Sequence, residues 1–261
     1  MSESEKQNLA IPIAIVIAGA LVAGAIFFME KDRPLTGLPS AGNQAVIGIV
    51  AKNVPVVTAT DHTRGDLSAP VKIVEYTDLE CPFCKQFHGT MQQVLKDRPG
   101  KVAWVMRNFP LQQLHPNAPK LALAAECVAS LAGNDAYWRF SDSILAQAPI
   151  NTFFDMTKLD ATAAAAGADA KAFSDCLSNA RFQSAIDSQI ADATGAGGQG
   201  TPFSVIVLGA PLSNSQRNTL AKIGATLQPG TLLISADSTQ IGLSGSQPIA
   251  IVESVIDALG R

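Results

Sequence analysis

The sequence predicts an α/β domain that is interrupted by a helical insert and preceded by one transmembrane helix. Three observations predict this fold class. The apolar run 71–77 is typical of a buried strand, and a helical stretch that begins with two closely spaced cysteines follows it. Apolar residues recur at helical spacing from about 116 to 194, and short apolar runs return after residue 202. The run 9–29 carries no charged residue and is long enough to cross a bilayer.

The composition agrees with a single globular domain plus an anchor. The chain has 261 residues, of which 47% are hydrophobic and 16% are charged, enough to bury the core of one domain of roughly 200 residues. The formal net charge is −3, and the lysines and arginines are dispersed along the chain. These features argue against a nucleic-acid partner, which would favour a basic patch.

Cys81-Pro82-Phe83-Cys84 is the strongest chemical signal in the chain, because it lies between the predicted strand and the start of the helix. A cysteine at a helix N-terminus is close to unpaired backbone N–H groups and to the positive end of the helix dipole, and both favour its thiolate. The thiolate is the form that attacks a disulfide. Pro82 suits the first helical position, where its missing N–H costs nothing. The pattern predicts a redox-active dithiol.

A pair of cysteines at this spacing can also supply half of a zinc site. Zinc prefers four ligands, and the nearest additional candidate is His88, on the same predicted helical face as Cys84. No fourth ligand lies close in sequence, because His62 and His115 are distant. The sequence favours the redox dithiol over a metal site, and an inert pair is a further alternative.

Three segments together resemble the DsbA-like branch of the thioredoxin superfamily. The segment 61–87 contains the strand and the dithiol, 102–111 resembles the second strand of that family with its exit loop, and 200–203 resembles its proline loop. The resemblance extends from about residue 61 to the C-terminus. It implies a thioredoxin-like fold with an inserted α-helical domain at about 116–194, and an enzyme that exchanges thiols and disulfides without a cofactor or a metal.

The resemblance also implies roles for residues around the dithiol. Cys81 is the sulfur that reacts with substrate, and Cys84 is its more buried partner. Glu75 matches an acidic residue that exchanges a proton with the second cysteine. Burial in its apolar strand would raise the pKa of this carboxyl, unless the side chain faces solvent. Pro202 matches a proline whose peptide bond is cis, and this geometry exposes the backbone of Thr201 for pairing with an extended substrate.

The residues that flank the sulfurs are the expected substrate contacts: Pro82, Phe83, Thr201 and Pro202. Phe83 departs from the histidine of the most strongly oxidising members of the family. A phenyl ring cannot stabilise the thiolate by charge or by a hydrogen bond, so we expect a milder oxidant. Glu80 is expected to oppose thiolate formation as a negative neighbour. His88 is close enough to help electrostatically, although a packing role is more common for such a histidine.

Cys127 and Cys176 fall in separate predicted helices of the insert. A bond between them would close a loop of about 50 residues and stabilise the fold by about 4 kcal/mol on the chain-entropy model. We expect a structural disulfide here. The alternative is two buried free thiols that behave as small hydrophobic residues.

The predicted layout has four parts. Residues 1–8 form an N-terminal tail, 9–29 the anchor, 30–60 a linker that ends in a short edge strand, and 61–261 the catalytic domain. A cleaved signal peptide is the alternative to an uncleaved anchor.

The orientation of the anchor follows from the chemistry of the cysteines. Lys6 precedes the span while Lys31 and Arg33 follow it, so the charge count does not favour a cytoplasmic N-terminus. A catalytic disulfide nevertheless belongs in an oxidising compartment, and long domains translocate largely regardless of charge. We therefore expect a single-pass protein of the cytoplasmic membrane with its catalytic domain on the extracytoplasmic side.

Three other segments are explained without a further binding function. Gly195–Gly200 satisfies GxGxxG, but it follows a predicted helix and leads into a strand, the reverse of the dinucleotide-binding order. Arg64-Gly65-Asp66 is typical of a turn before the first core strand. The polar segment 211–227 departs from the family pattern, and the sequence leaves open whether it reshapes one rim of the site.

Together these features predict an enzyme that introduces disulfide bonds into exported proteins. The resemblance implies reduced exported proteins or peptides as substrates, and a membrane quinone-linked oxidoreductase of the DsbB or vitamin K epoxide reductase type as reoxidant. A reductase or isomerase is a weaker alternative, because we expect neither a separate dimerisation domain nor a reducing transmembrane relay. The alternative from a different class is a membrane-tethered binding module with chaperone-like activity.

Overall fold

The structure is a computed structural model that describes residues 48–147 and 152–260. The chain divides into two units, Met1–Gln44 and Ala45–Arg261, and all described residues lie in the second. The predicted tail and anchor therefore lie outside the described residues. None of the helices within the described ranges combines the length and the apolar character that a membrane crossing requires.

Seven strands of the described chain form one mixed sheet. They are β1 (Gly48–Val50), β2 (His62–Arg64), β3 (Val71–Thr77), β4 (Val102–Asn108), β5 (Phe203–Val207), β6 (Leu232–Ser235) and β7 (Gln240–Ser244). Their order across the sheet is β1-β6-β7-β5-β3-β4-β2. β3 is parallel to β4 and antiparallel to β5, and it is buried on both faces, which explains its nearly continuous apolar sequence.

The helices lie on both faces of this sheet. They are α1 (Pro82–Asp97), α2 (Ala118–Ala132), α3 (Asn134–Gln147), α4 (Leu159–Ala166), α5 (Ala170–Ser178), α6 (Gln183–Gly195), α7 (Asn214–Gly224) and α8 (Ile249–Ala258), with a 3₁₀ turn at Met156–Lys158. Helices α2 to α6 form the insert and correspond to the predicted helical section. The observed architecture is thus the predicted α/β fold with a helical insert.

Alternate residues of the central strands contribute to two cores on opposite faces of the sheet. Ile73 of β3 and Trp104 of β4 belong to the larger core, which also contains α1 and much of the insert. Val74 and Val105 belong to a smaller core that includes residues of α6. Glu75 lies two residues after Ile73, so its side chain is on the same face of the sheet. It therefore faces the larger core and the helix that carries the dithiol.

Cys127 of α2 and Cys176 of α5 form a disulfide with an S–S distance of 2.04 Å and a Cα–Cα distance of 5.9 Å. Both residues are buried in the larger core. The bond ties two helices of the insert together across 49 positions of sequence.

The sequence places residues 48–60 in the linker, whereas the structure makes them part of the domain. β1 pairs in parallel with β6 at the sheet edge, which is the short edge strand that the sequence predicts. The side chain of Gln240 accepts from the N–H of Val54 and donates to its carbonyl, both at 2.9 Å. Buried Arg107 donates to two carbonyls of the same segment and pairs with Asp61. These contacts join distant parts of the chain, so a local sequence pattern cannot show them.

The glycine-rich run after α6 serves packing in this fold. A Cβ at Gly198 would lie 2.8 Å from the Phe203 ring and 3.0 Å from the carbonyl oxygen of Ala193. The loop therefore needs glycine where it turns from α6 toward β5.

The sequence leaves open whether the segment 211–227 shapes one rim of the site, and the structure folds it into a helix on the larger core. It forms α7, which begins with a capping box between Ser213 and Gln216. Leu220 is buried in the larger core, and the Gln216 side chain donates to the carbonyl of Leu259 beyond α8. The segment is an external helix that covers the C-terminal helix.

Replacement of both Cys127 and Cys176 by alanine should lower the free energy of unfolding by about 4 kcal/mol, because the unfolded chain regains the freedom of a large loop. Urea unfolding of the full chain, compared with the wild type under non-reducing conditions, measures this loss. A loss below about 1 kcal/mol would contradict the chain-entropy explanation.

Candidate active site

The dithiol lies at the start of α1, where a tight turn leaves the end of β3. The N–H of Cys81 donates to the carbonyl of Asp78 at 3.1 Å, and the carbonyl of Cys81 accepts from Lys85 at 3.0 Å. Cys81 is the N-cap in an extended conformation, and Pro82 occupies the first turn, as predicted. The local sequence therefore fixes the sulfur of Cys81 at the positive end of a helix.

The two cysteines are free thiols that differ in their surroundings. Cys81 is 4% exposed, whereas Cys84 is fully buried one turn further along the helix. The Cys84 sulfur accepts a hydrogen bond from the N–H of Asp78 at 3.4 Å. Cys81 lines a cavity beside the site, and its Sγ is 3.4 Å from the carbonyl oxygen of Thr201. The small exposed surface of the pair therefore belongs to Cys81.

The two thiols also differ in acidity. The Cys84 thiol donates a hydrogen bond to the Cys81 sulfur, and this is the main reason why the pKa of Cys81 falls to about 6. Thr201 and the N–H groups of Phe83 and Cys84 favour the thiolate as well, while burial opposes it. Burial raises the pKa of Cys84 well above its usual value, and the negative charges of Cys81 and Glu75 raise it further. At neutral pH the pair is a thiolate beside a thiol.

Opposite the dithiol lies the loop that leads into β5. The peptide bond between Thr201 and Pro202 is cis. The carbonyl of Pro202 accepts a hydrogen bond from Gly245 at 2.9 Å, which joins the loop to the end of β7. This arrangement brings the backbone of Thr201 against Cys81, where the sequence places a substrate contact.

Glu75 lies beneath the sulfurs and is fully buried. Burial raises the pKa of its carboxyl to about 7, and the charge of Cys81 adds to this rise. The polar groups of Thr77 and Trp104 act in the opposite direction, and Trp104 Nε1 donates to Glu75 Oε2 at 2.9 Å. A carboxyl with this pKa can both accept and release a proton near neutral pH.

Glu80 has a structural role that the sequence does not suggest. Its carboxylate accepts from the backbone and side-chain nitrogens of Asn117 at 2.8 Å each, and from the N–H of Phe154 at 3.3 Å. These bonds direct the charge toward the insert rather than toward Cys81. Glu80 thus joins the active-site turn to the start of α2.

His88 is a packing residue of the larger core face. It is 5% exposed, its Nε2 lies 2.6 Å from Asp142, and its ring packs edge-on against Trp104 at 4.8 Å. The described residues contain no cluster of three or more His, Cys, Asp or Glu side chains that could hold a metal ion.

Two cavities lie beside the site, and Cys81 lines the first of them. The first, of about 230 Å³, lies between α1 and the insert and is lined largely by apolar side chains, including Leu114 and Phe153. The second, of about 600 Å³, borders Thr201 and Pro202. Phe83, Leu114 and Phe153 are more than half exposed although they are large and apolar.

The sequence predicts Phe83 as a substrate contact but not Leu114 or Phe153. These two residues belong to the insert side of the site, far from the dithiol in sequence. The available signal for Leu114 is a large apolar residue that stands alone among polar neighbours, in Gln112-Gln113-Leu114-His115. Such a signal is weak, because single exposed apolar residues are common on protein surfaces.

Replacement of Cys84 by alanine should raise the pKa of Cys81 by about one unit or more, because a hydrogen bond to a charged group is lost. Replacement by serine keeps a donor and should raise the pKa less. The ultraviolet absorbance of the thiolate, followed against pH, measures both midpoints, since Cys81 is then the remaining free thiol. An unchanged midpoint in the alanine variant would contradict the role of Cys84.

Solved structures of other proteins are similar to this chain. Pseudomonas aeruginosa DsbA2 superposes with a TM-score of 0.56 at 25% identity, and the match covers 78% of this chain and 96% of that chain. The thiol-disulfide exchange protein alpha-DsbA2 from Wolbachia pipientis superposes with a TM-score of 0.54 at 20% identity, over 77% of this chain and 88% of that chain. The second likeness shows the fold.

A similar segment occurs in much longer proteins. A stretch of 99 residues is 41% identical to part of the Na⁺/H⁺ antiporter NhaA 3 of Salinispora tropica. The match covers 38% of this chain and 15% of the length of that relative.

The asymmetric dithiol and the likeness to DsbA2 support a thiol-disulfide oxidoreductase activity. Residues 57–223, more than half of the sequence, match the protein family described as Thioredoxin. The chain therefore belongs to the thioredoxin family.

Proposed function

We propose that this protein introduces disulfide bonds into exported proteins through its Cys81–Cys84 pair. The observation that carries the proposal is the difference in burial and in pKa between the two cysteine sulfurs. Cys81 lines a cavity and is ionised at neutral pH, because its pKa is about 6, while Cys84 has no exposed surface and is protonated. A thiolate with a low pKa is a good leaving group, and it stabilises the reduced state of the pair. Both properties favour the oxidised pair as a disulfide donor.

The reaction proceeds in two exchanges. A client thiolate attacks Cys81 in the Cys81–Cys84 disulfide, so the bond between the two enzyme sulfurs breaks and Cys84 leaves as a thiolate. Cys84 takes up a proton, with Glu75 as the donor. A second client thiolate then attacks the client sulfur of the mixed disulfide, which forms the client disulfide and releases Cys81 as a thiolate. Two electrons pass from the client to the enzyme pair.

The surroundings of Cys81 suit an unfolded client. The backbone of Thr201 pairs with an extended segment beside the cis-proline, and Pro82 and Phe83 flank the same sulfur. The exposed apolar side chains and the cavity at Leu114 and Phe153 accept apolar residues of the client. Reduced exported proteins or peptides have both features, since their backbone and their apolar side chains are accessible.

The cellular setting completes the proposal. The charge-free run 9–29 anchors the protein in the cytoplasmic membrane, with the catalytic domain on the extracytoplasmic side. A membrane quinone-linked oxidoreductase of the DsbB or vitamin K epoxide reductase type removes the two electrons and restores the disulfide. Anchoring keeps enzyme and reoxidant at a high effective concentration.

A stoichiometric oxidation assay tests this function. The oxidised full chain should convert the thiols of a reduced, unfolded test protein into disulfides, and Cys81→Ser should abolish the conversion. The double variant Cys127→Ala, Cys176→Ala is the matched control, because it loses two cysteines yet keeps the reactive pair.

Two outcomes would contradict the proposal. A Cys81/Cys84 potential well below about −220 mV would indicate a donor of electrons, as in a reductase. Full protection of the test protein against aggregation by Cys81→Ser, with no oxidation by the wild type, would indicate the chaperone-like binding module.

The residue between the cysteines should tune the potential. Phe83 is exposed, so Phe83→His is compatible with the fold and supplies a donor and a positive charge beside the thiolate. Each unit by which the pKa of Cys81 falls should raise the potential by about 30 mV. Equilibration with glutathione measures the change, and Phe83→Leu controls for loss of the ring. Equal potentials in the two variants would contradict the expected role of this position.

A further inference from the structure

In the proposed reaction Cys84 exchanges its proton with Glu75, a carboxyl that has no contact with solvent. Glu75 is 0% exposed, and so is Trp104, whose indole N–H donates to Glu75 Oε2 at 2.9 Å. The other carboxylate oxygen, Oε1, accepts no hydrogen bond from the described part of the chain. The indole N–H donates a directed hydrogen bond to this buried carboxylate and stabilises its charged form, and the nearby hydroxyl of Thr77 acts in the same direction.

The indole is held in place from several sides. Trp104 packs edge-on against His88, with ring centroids 4.8 Å apart, and against the tilted ring of Trp138 at 4.6 Å. His88 is fixed in turn by Asp142, and the guanidinium of Arg64 lies over both tryptophan rings, at 5.8 Å and 4.3 Å. The backbone of Trp104 is paired on both sides, with β3 and with β2. A donor held in this way does not need to reorganise when Glu75 changes its charge.

We propose that Trp104 is a positioning residue, whose indole N–H keeps the Glu75 carboxyl ionisable beside Cys84 and so sets the pH range in which Cys84 exchanges its proton. The inference deepens the proposed thiol-disulfide exchange and rests on it. It assigns a role in the reaction to a residue that touches neither sulfur nor substrate.

The charged and titratable groups around Glu75 come from three elements. Cys81 and Cys84 face it from α1, and the charge of Cys81 raises the pKa of Glu75. Tyr137 faces it from α3, and Glu126 of α2 acts on the same phenol. These groups are acids and oppose the negative charge on Glu75 when they are ionised. The indole N–H acts in the opposite direction.

Loss of the hydrogen bond from Trp104 should raise the pKa of Glu75. Without the indole N–H, the carboxylate loses stabilisation while the neutral acid is little affected. The pKa of Glu75 should therefore rise from about 7 by about one unit. At neutral pH less carboxylate would be available to accept the proton of Cys84.

The chain offers a matched pair of variants for the first test. Trp104→Phe removes the donor and keeps an aromatic ring. Trp138→Phe makes the same substitution in a buried ring that packs against Trp104, but whose Nε1 has no hydrogen-bond partner in the described chain. Carbon-13 NMR of glutamate-labelled, reduced full-length protein follows the Glu75 carboxyl against pH, and Glu75→Gln assigns its signal.

The midpoint of Glu75 should move upward in Trp104→Phe and stay unchanged in Trp138→Phe. No shift in Trp104→Phe, or an equal shift in both variants, would overturn the inference. A tryptophan analogue with sulfur in place of the indole N–H, incorporated in the Trp138→Phe background, keeps the ring shape and gives the same test if Trp104→Phe does not fold.

A second readout connects the hydrogen bond to the chemistry. The reduced protein reacts with an aromatic disulfide that releases a coloured thiol in two phases. In the first phase the Cys81 thiolate attacks the reagent and forms a mixed disulfide. In the second phase Cys84 gives its proton to Glu75 and attacks Cys81, so the Cys81–Cys84 bond forms and a second aromatic thiolate leaves.

Trp104→Phe should move the pH midpoint of the second phase upward by the same amount as the Glu75 titration and leave the first phase unchanged. A shifted titration with an unshifted second phase would overturn the link to Cys84. Neither readout uses a client protein, so a failure to oxidise exported proteins would leave both results interpretable and would contradict the proposed function alone.

Discussion

The hydrogen bond from the Cys84 thiol to the Cys81 thiolate is the interaction on which the site depends. The bond depends on different surroundings for the two sulfurs: Cys81, at the start of α1, lines a cavity, whereas Cys84, in the next turn, has no exposed surface. Burial keeps the proton on Cys84, and that proton stabilises the charge on Cys81. The backbone N–H groups at the start of the helix also stabilise the Cys81 thiolate, but their effect is smaller than that of the Cys84 thiol. A dithiol with two equally exposed sulfurs would not have this asymmetry.

The buried carboxyl of Glu75, beneath the two cysteines, is unusual for a protein core. An unpaired charge in an apolar interior is strongly unfavourable, and Glu75 lies in a strand whose other buried residues are mainly apolar. The larger core accommodates it through the indole N–H of Trp104 and through a pKa near neutrality, which keeps the group uncharged for part of the time. Local departures from good packing of this kind are expected where chemistry takes place.

The sequence predicts those features whose signal is local. The strand 71–77, the helix that begins at Pro82 and the helical insert all follow from periodicity and from residues that begin or end helices. The sequence does not predict the partner of Glu80, the docking of residues 48–60 by Gln240, or the bond between Trp104 and Glu75. Each of these joins residues that lie far apart in the chain, and nothing in the separate segments indicates that they meet. The helix amides are predicted as the main stabilisers of the Cys81 thiolate, whereas the structure assigns the larger effect to Cys84.

Electron transfer and proton transfer are coupled through one charge in this arrangement. The thiolate of Cys81 exists in the reduced pair and is lost when the disulfide forms. Because that charge raises the pKa of Glu75, the carboxyl is a weaker acid beside the reduced pair than beside the oxidised pair. Reduction therefore increases the affinity of Glu75 for a proton, and oxidation lowers it. In the mixed disulfide Cys81 carries no charge, so a protonated Glu75 gives its proton to the Cys84 thiolate more readily than it would beside a Cys81 thiolate.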